Sequence, residues 1–194
     1  MAVPVLAPLT LASASPRRLA LLAQIGVVPD RVAAPDIDET PRRNEAPRLY
    51  AERMALEKAR RMAEAGTFVL AADTVVALGS RIMPKAADGE DVRACMELLS
   101  GRRHHVLTAL TLIGPDGRVG RRLSDSVVAF SRLAPAQLDA YAECGEGVGK
   151  AGGYAIQGRA AGFARFLSGS YSGVVGLPLF EVAQLLRGRG YPVP

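Results

Sequence analysis

The sequence is poor in the residues that build disulfides, metal centres and stacking surfaces: its 194 residues include two cysteines, two histidines, five phenylalanines and five tyrosines. Cys95 and Cys144 have no CxxC spacing, and Cys95 lies on an apolar helical face, which indicates a core residue in a protein of the reducing cytoplasm. His104 and His105 are adjacent and match no metal-ligand spacing, so we interpret them as structural or surface residues.

Long apolar runs are missing as well. No stretch approaches the ~20 apolar residues of a membrane span. No basic residue precedes Arg17, which is the reverse of the order in a signal peptide. We therefore expect no membrane-spanning segment, no signal peptide and a cytoplasmic location.

Charges of both signs are present, but not in blocks. The 24 Lys and Arg residues are scattered among 19 Asp and Glu, with a formal net charge of +5 and a pI near 9.6. No Lys/Arg tract and few aromatic residues accompany this charge, which argues against a nucleic-acid groove. The balance favours a small anionic ligand.

Segments with strand and helix periodicity alternate along the chain, without a repeat or long linker. This alternation predicts one α/β domain over residues 1–194, built on a mixed sheet. The predicted strands cover residues 6–14, 31–35, 68–78, 105–113, 118–132 and 163–167. The predicted helices cover residues 16–25, 47–65, 90–99, 135–143 and 178–187.

A glycine-rich segment, GEGVGKAGGYAIQG, satisfies GxGxxG at residues 147–152. A dinucleotide fingerprint needs a strand before it and a helix after it, whereas the pattern here predicts the opposite order. A P-loop is excluded too, because Cys144 replaces its first glycine and Ala151 replaces the Ser or Thr that binds magnesium. We expect these glycines to let the backbone approach a ligand.

Residues 9–25, LTLASASPRRLALLAQI, place serines and arginines where a buried strand turns into a helix. A helix start is already electropositive, so Arg17 and Arg18 are unfavourable there unless an anion binds. Ser13, Ser15 and the two guanidinium groups can form a phosphate cradle with backbone N–H groups. Alternatively, Ser15 caps the helix and both arginines face solvent. The stretch alone leaves both interpretations open.

Asp73 is the one charged residue in the apolar run FVLAADTVVAL. Burying an unpaired carboxylate costs several kcal/mol, so Asp73 needs a cation, hydrogen-bond donors or a metal, unless it caps a loop at a strand end. Asp73 and Thr74 point to opposite faces of a regular strand. If both serve one site, we predict that the strand ends or bulges there.

Two lysines stand apart from the other charges. Lys58 shares a helical row with Tyr50, Met54 and Met62, so we interpret its ammonium as pointing into a cleft, the alternative being a snorkelling side chain. Lys85, in IMPKAAD, is a loop lysine for which the sequence indicates no local acidic partner.

Three acidic residues, Asp36, Asp38 and Glu39, crowd the loop after the second predicted strand. A solvated acidic loop explains them, but crowded carboxylates also bind cations. Together with Asp73, they are compatible with a hard divalent ion such as Mg²⁺, held by oxygens and by substrate phosphates.

Seven motifs in order closely resemble those of the Maf (septum-formation) family of nucleoside triphosphate pyrophosphatases: ASASPRR, DET, LEKAR, AADTVV, LSGR followed by a histidine, KAGGYAIQGRAA and GSYSGVVGLPL. The resemblance covers the chain from Leu9 to about Leu186. It implies an inosine-triphosphatase-like α/β fold, with a long twisted mixed sheet flanked by helices and two lobes around a central cleft. It also implies hydrolysis of a nucleoside triphosphate to a monophosphate and pyrophosphate with a divalent cation, Mg²⁺ or Mn²⁺.

The resemblance assigns roles to individual residues. Asp73 matches the family's proposed general base, and Glu39 matches an acidic residue on the metal side. Arg18, Thr74 and Gln157 match positions linked to substrate choice. The positions expected around the phosphates are Ser13, Ser15, Arg17, Lys58 and Lys85.

Within the family, SPRR without an inserted aromatic, ADT and YAIQG are similar to the dTTP/UTP branch rather than the 7-methyl-GTP branch. Lys85 departs from the family pattern, because Pro84 precedes it and Ala86 follows it where Gly and Pro are usual. Two alternatives stay open: the same reaction on 7-methyl-GTP or other modified nucleotides, and a non-catalytic nucleotide-binding regulator of cell division. We expect no nucleic-acid or membrane partner; a homodimer is common among such enzymes.

Overall fold

The computed structural model describes residues 6–194, so residues 1–5 of the predicted domain lie outside it. The described strands are β1 (Leu9–Ala12), β2 (Arg31–Ala33), β3 (Phe68–Leu78), β4 (Arg81–Ile82), β5 (Arg103–Ile113), β6 (Val119–Phe130) and β7 (Ala164–Ser168). The helices are α1 (Pro16–Gln24), α2 (Pro47–Arg61), α3 (Gly89–Leu99), α4 (Pro135–Glu143), α5 (Tyr171–Val175) and α6 (Leu179–Arg187), with a 3₁₀ turn at Arg159–Gly162.

Local sequence explains where the helices begin. Proline occupies the first turn of α1, α2 and α4, where its missing N–H has no intrahelical partner to lose. Helix α3 begins after Asp88, whose side chain accepts a hydrogen bond from Asp91 N at 2.9 Å. None of the helices in residues 6–194 is long and apolar enough to cross a membrane.

The strands form one mixed sheet in the order β2-β1-β3-β5-β6-β7, with β4 paired to the end of β3. Strands β2, β1 and β3 are parallel, whereas β5, β6 and β7 continue the sheet antiparallel to their neighbours. Even-numbered residues of β3 pack in the larger core with α1, α3, α4 and α6, and odd-numbered residues pack against α2. This mixed sheet flanked by helices confirms the predicted α/β architecture.

Strand β3 has an uncovered edge. On one side it pairs with β5 without interruption from Val69 to Ala77. On the other side it pairs with β1 only as far as Ala71 and with β4 only from Ala77. The predicted break at Asp73 and Thr74 is therefore wrong, because the ladder runs straight through them. The side chains of Asp73 and Thr74 leave opposite faces of β3, yet both reach one cleft. They can do so because no strand within residues 6–194 pairs with this edge of β3 between Ala71 and Ala77.

Three further details differ from the sequence-based expectations. Helix α2 ends at Arg61, four residues early, where Met62 N and Ala63 N bond to carbonyls three residues back. Strand β4 and helix α5 were not predicted, because two and five residues are too short to show a period. A tight turn joins β5 to β6, with Gly117 N donating to Gly114 O at 2.9 Å.

His104 is buried in the larger core. Its ring packs edge-on against Phe130 and Tyr154, and its Nε2 is hydrogen-bonded to the Tyr154 hydroxyl at 2.9 Å. Burial, with a small contribution from His105, lowers the pKa of His104 to about 4. His105 is exposed and pairs with Asp125. The interpretation of the two histidines as structural and surface residues agrees with these positions.

We expect a pH dependence of stability from His104. The unfolded imidazole titrates near pH 6.5, so between about pH 6.5 and 4 the unfolded chain binds a proton that the folded chain does not. The free energy of unfolding therefore falls as the pH falls through this window, by up to about 1.4 kcal/mol per pH unit. Urea unfolding of His104→Gln should lack this slope, and His105→Gln should keep it. Equal slopes in wild type and His104→Gln would contradict the assignment.

Candidate active site

A cleft of about 530 Å³ opens at the uncovered edge of β3. Its walls come from the end of β1, the start of α1, the loop after β2, α2, β3 and the glycine-rich segment. All ten residues that the sequence predicted for the site line this cleft: Ser13, Ser15, Arg17, Arg18, Glu39, Lys58, Asp73, Thr74, Lys85 and Gln157. Segments far apart in the chain are therefore brought together.

A chain of ion pairs lies on the α2 side of β3. Lys58 and Asp73 are both buried, with 6% and 5% of their surfaces exposed. Lys58 Nζ donates to Asp73 Oδ1 at 2.6 Å and lies 2.7 Å from Glu39 Oε1. Glu39 Oε2 contacts the ammonium of Lys85. The ammonium of Lys58 thus points into the cleft, as predicted, and does not snorkel to bulk solvent.

Glu39 is the member of the acidic loop that reaches the cleft. Burial by itself would raise the pKa of Glu39, but the hydrogen bonds from Lys58 and Lys85 outweigh it and lower the pKa to about 2. Asp36 and Asp38 are exposed, and Asp38 accepts a hydrogen bond from Thr40 N at 2.9 Å instead. The carboxylate of Glu39 therefore stays ionised at any pH near neutrality.

Arg18 occupies the opposite side of β3. Its Nε donates to Gly176 O at 2.9 Å, and its two terminal nitrogens donate to Ser13 Oγ at 3.2 Å and Thr74 Oγ1 at 3.3 Å. Burial lowers the pKa of Arg18, and the charge of Asp73 partly offsets this effect. Because Arg18 is half-buried and makes these contacts, the interpretation in which it faces solvent is wrong.

Ser15 occupies the position before α1, but its side chain makes no capping hydrogen bond. Its hydroxyl is therefore not used by the helix. Ser13 is buried, and its Oγ accepts hydrogen bonds from Ser15 N at 3.1 Å and from Arg18. Capping thus does not account for the two serines.

The glycine-rich segment forms a further wall, in which Gly149 and Lys150 line the cleft. A Cβ on Gly152 would lie 2.8 Å from Val76, and one on Gly153 would lie 2.9 Å from the Cβ of Cys95. The expectation that the glycines let the backbone approach a ligand is thus wrong for Gly152 and Gly153. They let the segment approach β3 and α3, and so they fix this wall of the cleft.

Gly152→Ala is expected to lower the free energy of unfolding by about 2–4 kcal/mol, because it adds a clash with Val76 to the strain of a positive φ of 68°. Gly145→Ala is the matched control: its φ is 72° and nothing lies within 4 Å of the added Cβ. It should cost about 1–2 kcal/mol. Denaturant unfolding measures both, and equal losses would show that close packing does not restrict Gly152.

The charges in the cleft are unbalanced. Five cationic side chains line it, against the carboxylates of Asp73 and Glu39: Arg17, Arg18, Lys58, Lys85 and Lys150. Lys150 and the buried Tyr154 line the cleft although the sequence did not single them out for the site. Within residues 6–194, no cluster of three or more Asp, Glu, His or Cys residues can hold a metal by itself. The excess of cationic side chains therefore suits an anion.

Comparisons with known proteins identify the family of the chain. A family model described as Maf-like protein matches residues 8–189. The chain is 60% identical to the dTTP/UTP pyrophosphatase of Caulobacter vibrioides, covering 94% of this chain and 96% of that protein. It is 56% identical to the dTTP/UTP pyrophosphatase of Sphingopyxis alaskensis, covering 95% of this chain and 98% of that protein.

Among solved structures, a nucleoside-triphosphatase / dITP/XTP pyrophosphatase from Mycobacterium abscessus is 19% identical, with a TM-score of 0.42 over 64% of this chain and 73% of that chain. The family model and the curated relatives each cover nearly the whole chain. The chain therefore belongs to the family of Maf-like proteins.

Proposed function

We propose that this chain hydrolyses nucleoside triphosphates to monophosphates and pyrophosphate, with dTTP and UTP as its substrates. The observation that carries the proposal is the position of one buried carboxylate, Asp73, in a cleft lined by five cationic side chains. A triphosphate brings about four negative charges, which the net positive charge of this lining can offset together with a bound divalent cation. The names of the relatives support the choice of dTTP and UTP.

Asp73 is the proposed general base. Lys58 binds its Oδ1, which fixes the side chain and leaves Oδ2 for a water molecule. Oδ2 accepts a proton from this water as the water oxygen attacks the α-phosphorus. The bond from the α-phosphorus to the bridging oxygen breaks, and pyrophosphate leaves. Ser13, Ser15 and Arg17 bind phosphate oxygens beside the N-terminus of α1.

Substrate choice is assigned to Arg18, Thr74 and Gln157. Gln157 is exposed in the cleft, and its amide offers both a donor and an acceptor to the edge of a pyrimidine. Arg18 and Thr74 are hydrogen-bonded to each other and are held by Gly176 and Thr108, so their positions are fixed before a substrate binds. A fixed pair of polar groups favours the ligand that satisfies both of them.

We propose that a divalent cation, Mg²⁺ or Mn²⁺, takes part. Glu39 and Asp73 would hold it through carboxylate lone pairs that the two lysines leave free, and this pair fits, because Mg²⁺ commonly binds one or two carboxylates together with substrate phosphates. When bound, the cation neutralises phosphate charge and polarises the α-phosphoryl group. Lys58 contacts both carboxylates and so keeps them close together.

Removal of divalent cations by EDTA should abolish turnover, and added Mg²⁺ or Mn²⁺ should restore it. Glu39→Gln is expected to raise the Mg²⁺ concentration for half-maximal activity by about tenfold or more, as it removes one of two charged ligands. Asp125→Asn, outside the cleft, should leave this concentration unchanged. Full turnover in EDTA would overturn the metal proposal.

A panel of natural and modified triphosphates tests the proposed function. Pyrophosphate and monophosphate from dTTP and UTP are the expected products, formed faster than from purine or methylated nucleotides. A preference for 7-methyl-GTP would replace the substrate assignment. Tight binding of nucleotides without turnover would favour the non-catalytic regulator, and release of orthophosphate with a diphosphate would contradict the reaction.

A cytoplasmic location is part of the proposal. Cys95 and Cys144 are both free thiols in the structure, with Cys95 buried in the core. Free thiols are usual in a reducing compartment, which is where nucleotide pools are also found.

A further inference from the structure

Lysine is scarce in this chain, and its positions are not random. The sequence holds three lysines against 21 arginines, and all three lysines, Lys58, Lys85 and Lys150, line the cleft. Lysine and arginine are not interchangeable, because an ammonium is a compact charge with three donors and a guanidinium is a planar fork. Two of the lysines bind Asp73 and Glu39. Lys150, the third lysine, has no role in the mechanism proposed for Asp73.

Lys150 is held on a rigid part of the cleft wall. Its carbonyl accepts a hydrogen bond from Ala86 N at 3.2 Å, and the neighbouring Gly149 N donates to Ala86 O at 2.8 Å. Lys85 forms a β-bridge with Ala151. The backbone segments that carry Lys85 and Lys150 are therefore hydrogen-bonded to each other, and the neighbouring Gly152 packs against Val76 of β3.

The charge of Lys150 is not offset by a carboxylate. Among residues 6–194, no Asp or Glu oxygen lies within 4 Å of its ammonium, whose contact is Val148 O at 3.1 Å. Burial lowers the pKa of Lys150, and the charge of Arg17 lowers it further. Arg17 likewise forms no ion pair within the described residues. An anion between these two side chains would relieve their mutual repulsion.

We propose that Lys150 and Arg17 bind the β- and γ-phosphates of the substrate, the portion that leaves as pyrophosphate. This inference rests on the proposed function, because it places the α-phosphorus beside Asp73. Lys58 is already paired with Asp73, and Lys85 is paired with Glu39, so these carboxylates offset most of the charge of the two lysines. Arg18 is held by Gly176, Ser13 and Thr74, so Lys150 and Arg17 are the cations left to offset the two distal phosphates.

Binding of inorganic pyrophosphate tests this assignment without turnover. In calorimetry with Mg²⁺ present, Lys150→Met should weaken pyrophosphate binding by about 10–100-fold, the loss expected for a hydrogen bond to a charged group. Binding of dTMP, which lacks the distal phosphates, should change by less than twofold. Arg159→Met is the matched control, since Arg159 is exposed directly after the glycine-rich segment and outside the cleft; it should change neither affinity.

A second measurement uses the wild-type chain and so does not depend on the folding of a variant. An amine-selective acylating reagent followed by peptide mass spectrometry reports on each of the three lysines. Pyrophosphate should protect Lys150 from acylation, and dTMP should not. Unchanged pyrophosphate affinity in Lys150→Met, equal losses for pyrophosphate and dTMP, or protection by dTMP would overturn the assignment. If the wild type binds pyrophosphate through Lys150 but does not hydrolyse dTTP, the proposed function fails and the binding assignment stands.

Discussion

Replacing Asp73 by asparagine is expected to lower kcat for dTTP by about 10²–10⁴-fold, the range attributed to general acid–base catalysis. Asparagine keeps the size of the side chain and can still accept a hydrogen bond from Lys58, but it cannot take a proton from water. KM should change much less than kcat, because the cationic side chains that bind phosphate are untouched. Steady-state kinetics with pyrophosphate detection measures the effect.

The control for this change is Asp125→Asn. Asp125 lies on β6 of the same sheet, is exposed and pairs with His105 outside the cleft. Its replacement should leave kcat and KM within about twofold of wild type, since surface substitutions rarely shift energies by more than about 0.5 kcal/mol. An Asp73→Asn enzyme with wild-type kcat would show that another group activates the water.

Lys58→Met is expected to lower the free energy of unfolding by about 3–5 kcal/mol, which is the usual cost of removing one partner from a buried ion pair. Methionine fills the space of the lysine stem, so the loss reflects the uncompensated carboxylate of Asp73 rather than a cavity. Glu39 keeps its contact with Lys85. Denaturant unfolding near pH 7 measures the change.

The double variant Lys58→Met/Asp73→Asn separates charge from packing. With the carboxylate gone, no buried charge lacks a partner, so more than half of the lost stability should return. Arg60→Met, exposed on the same helix, should cost less than about 0.5 kcal/mol. Strictly additive losses in the double variant would mean that the ion pair contributes nothing to the effect of Lys58→Met.

Local patterns in the sequence predicted the parts of the fold and the site that depend on neighbours in the chain. The row that Lys58 shares with Tyr50 and Met54 placed it on the buried face of α2, and Asp73 stood out in its apolar strand. These inferences need only helical and strand periodicity. The pairing of Lys85 with Glu39, 46 residues away, depends on the fold and has no local signal.

The wrong prediction that β3 ends or bulges at Asp73 and Thr74 has the same origin. Side-chain alternation correctly put Asp73 and Thr74 on opposite faces, but the end of β1 at Ala12 decides that both can reach the cleft. Strand neighbours are set by the topology of the sheet, which alternation within one strand does not report. Lys150 was missed for a different reason: the motif KAGGYAIQGRAA contains it, but only the scarcity of lysine in an arginine-rich chain sets it apart from its neighbours.

The reaction proposed for this cleft is attack of water on the α-phosphorus of a bound triphosphate. Hydrolysis of dTTP in ¹⁸O-labelled water, followed by mass spectrometry of the products, tests it most directly. We expect one ¹⁸O atom in dTMP and none in pyrophosphate. Label in pyrophosphate would mean attack at the β-phosphorus and would contradict the proposed reaction.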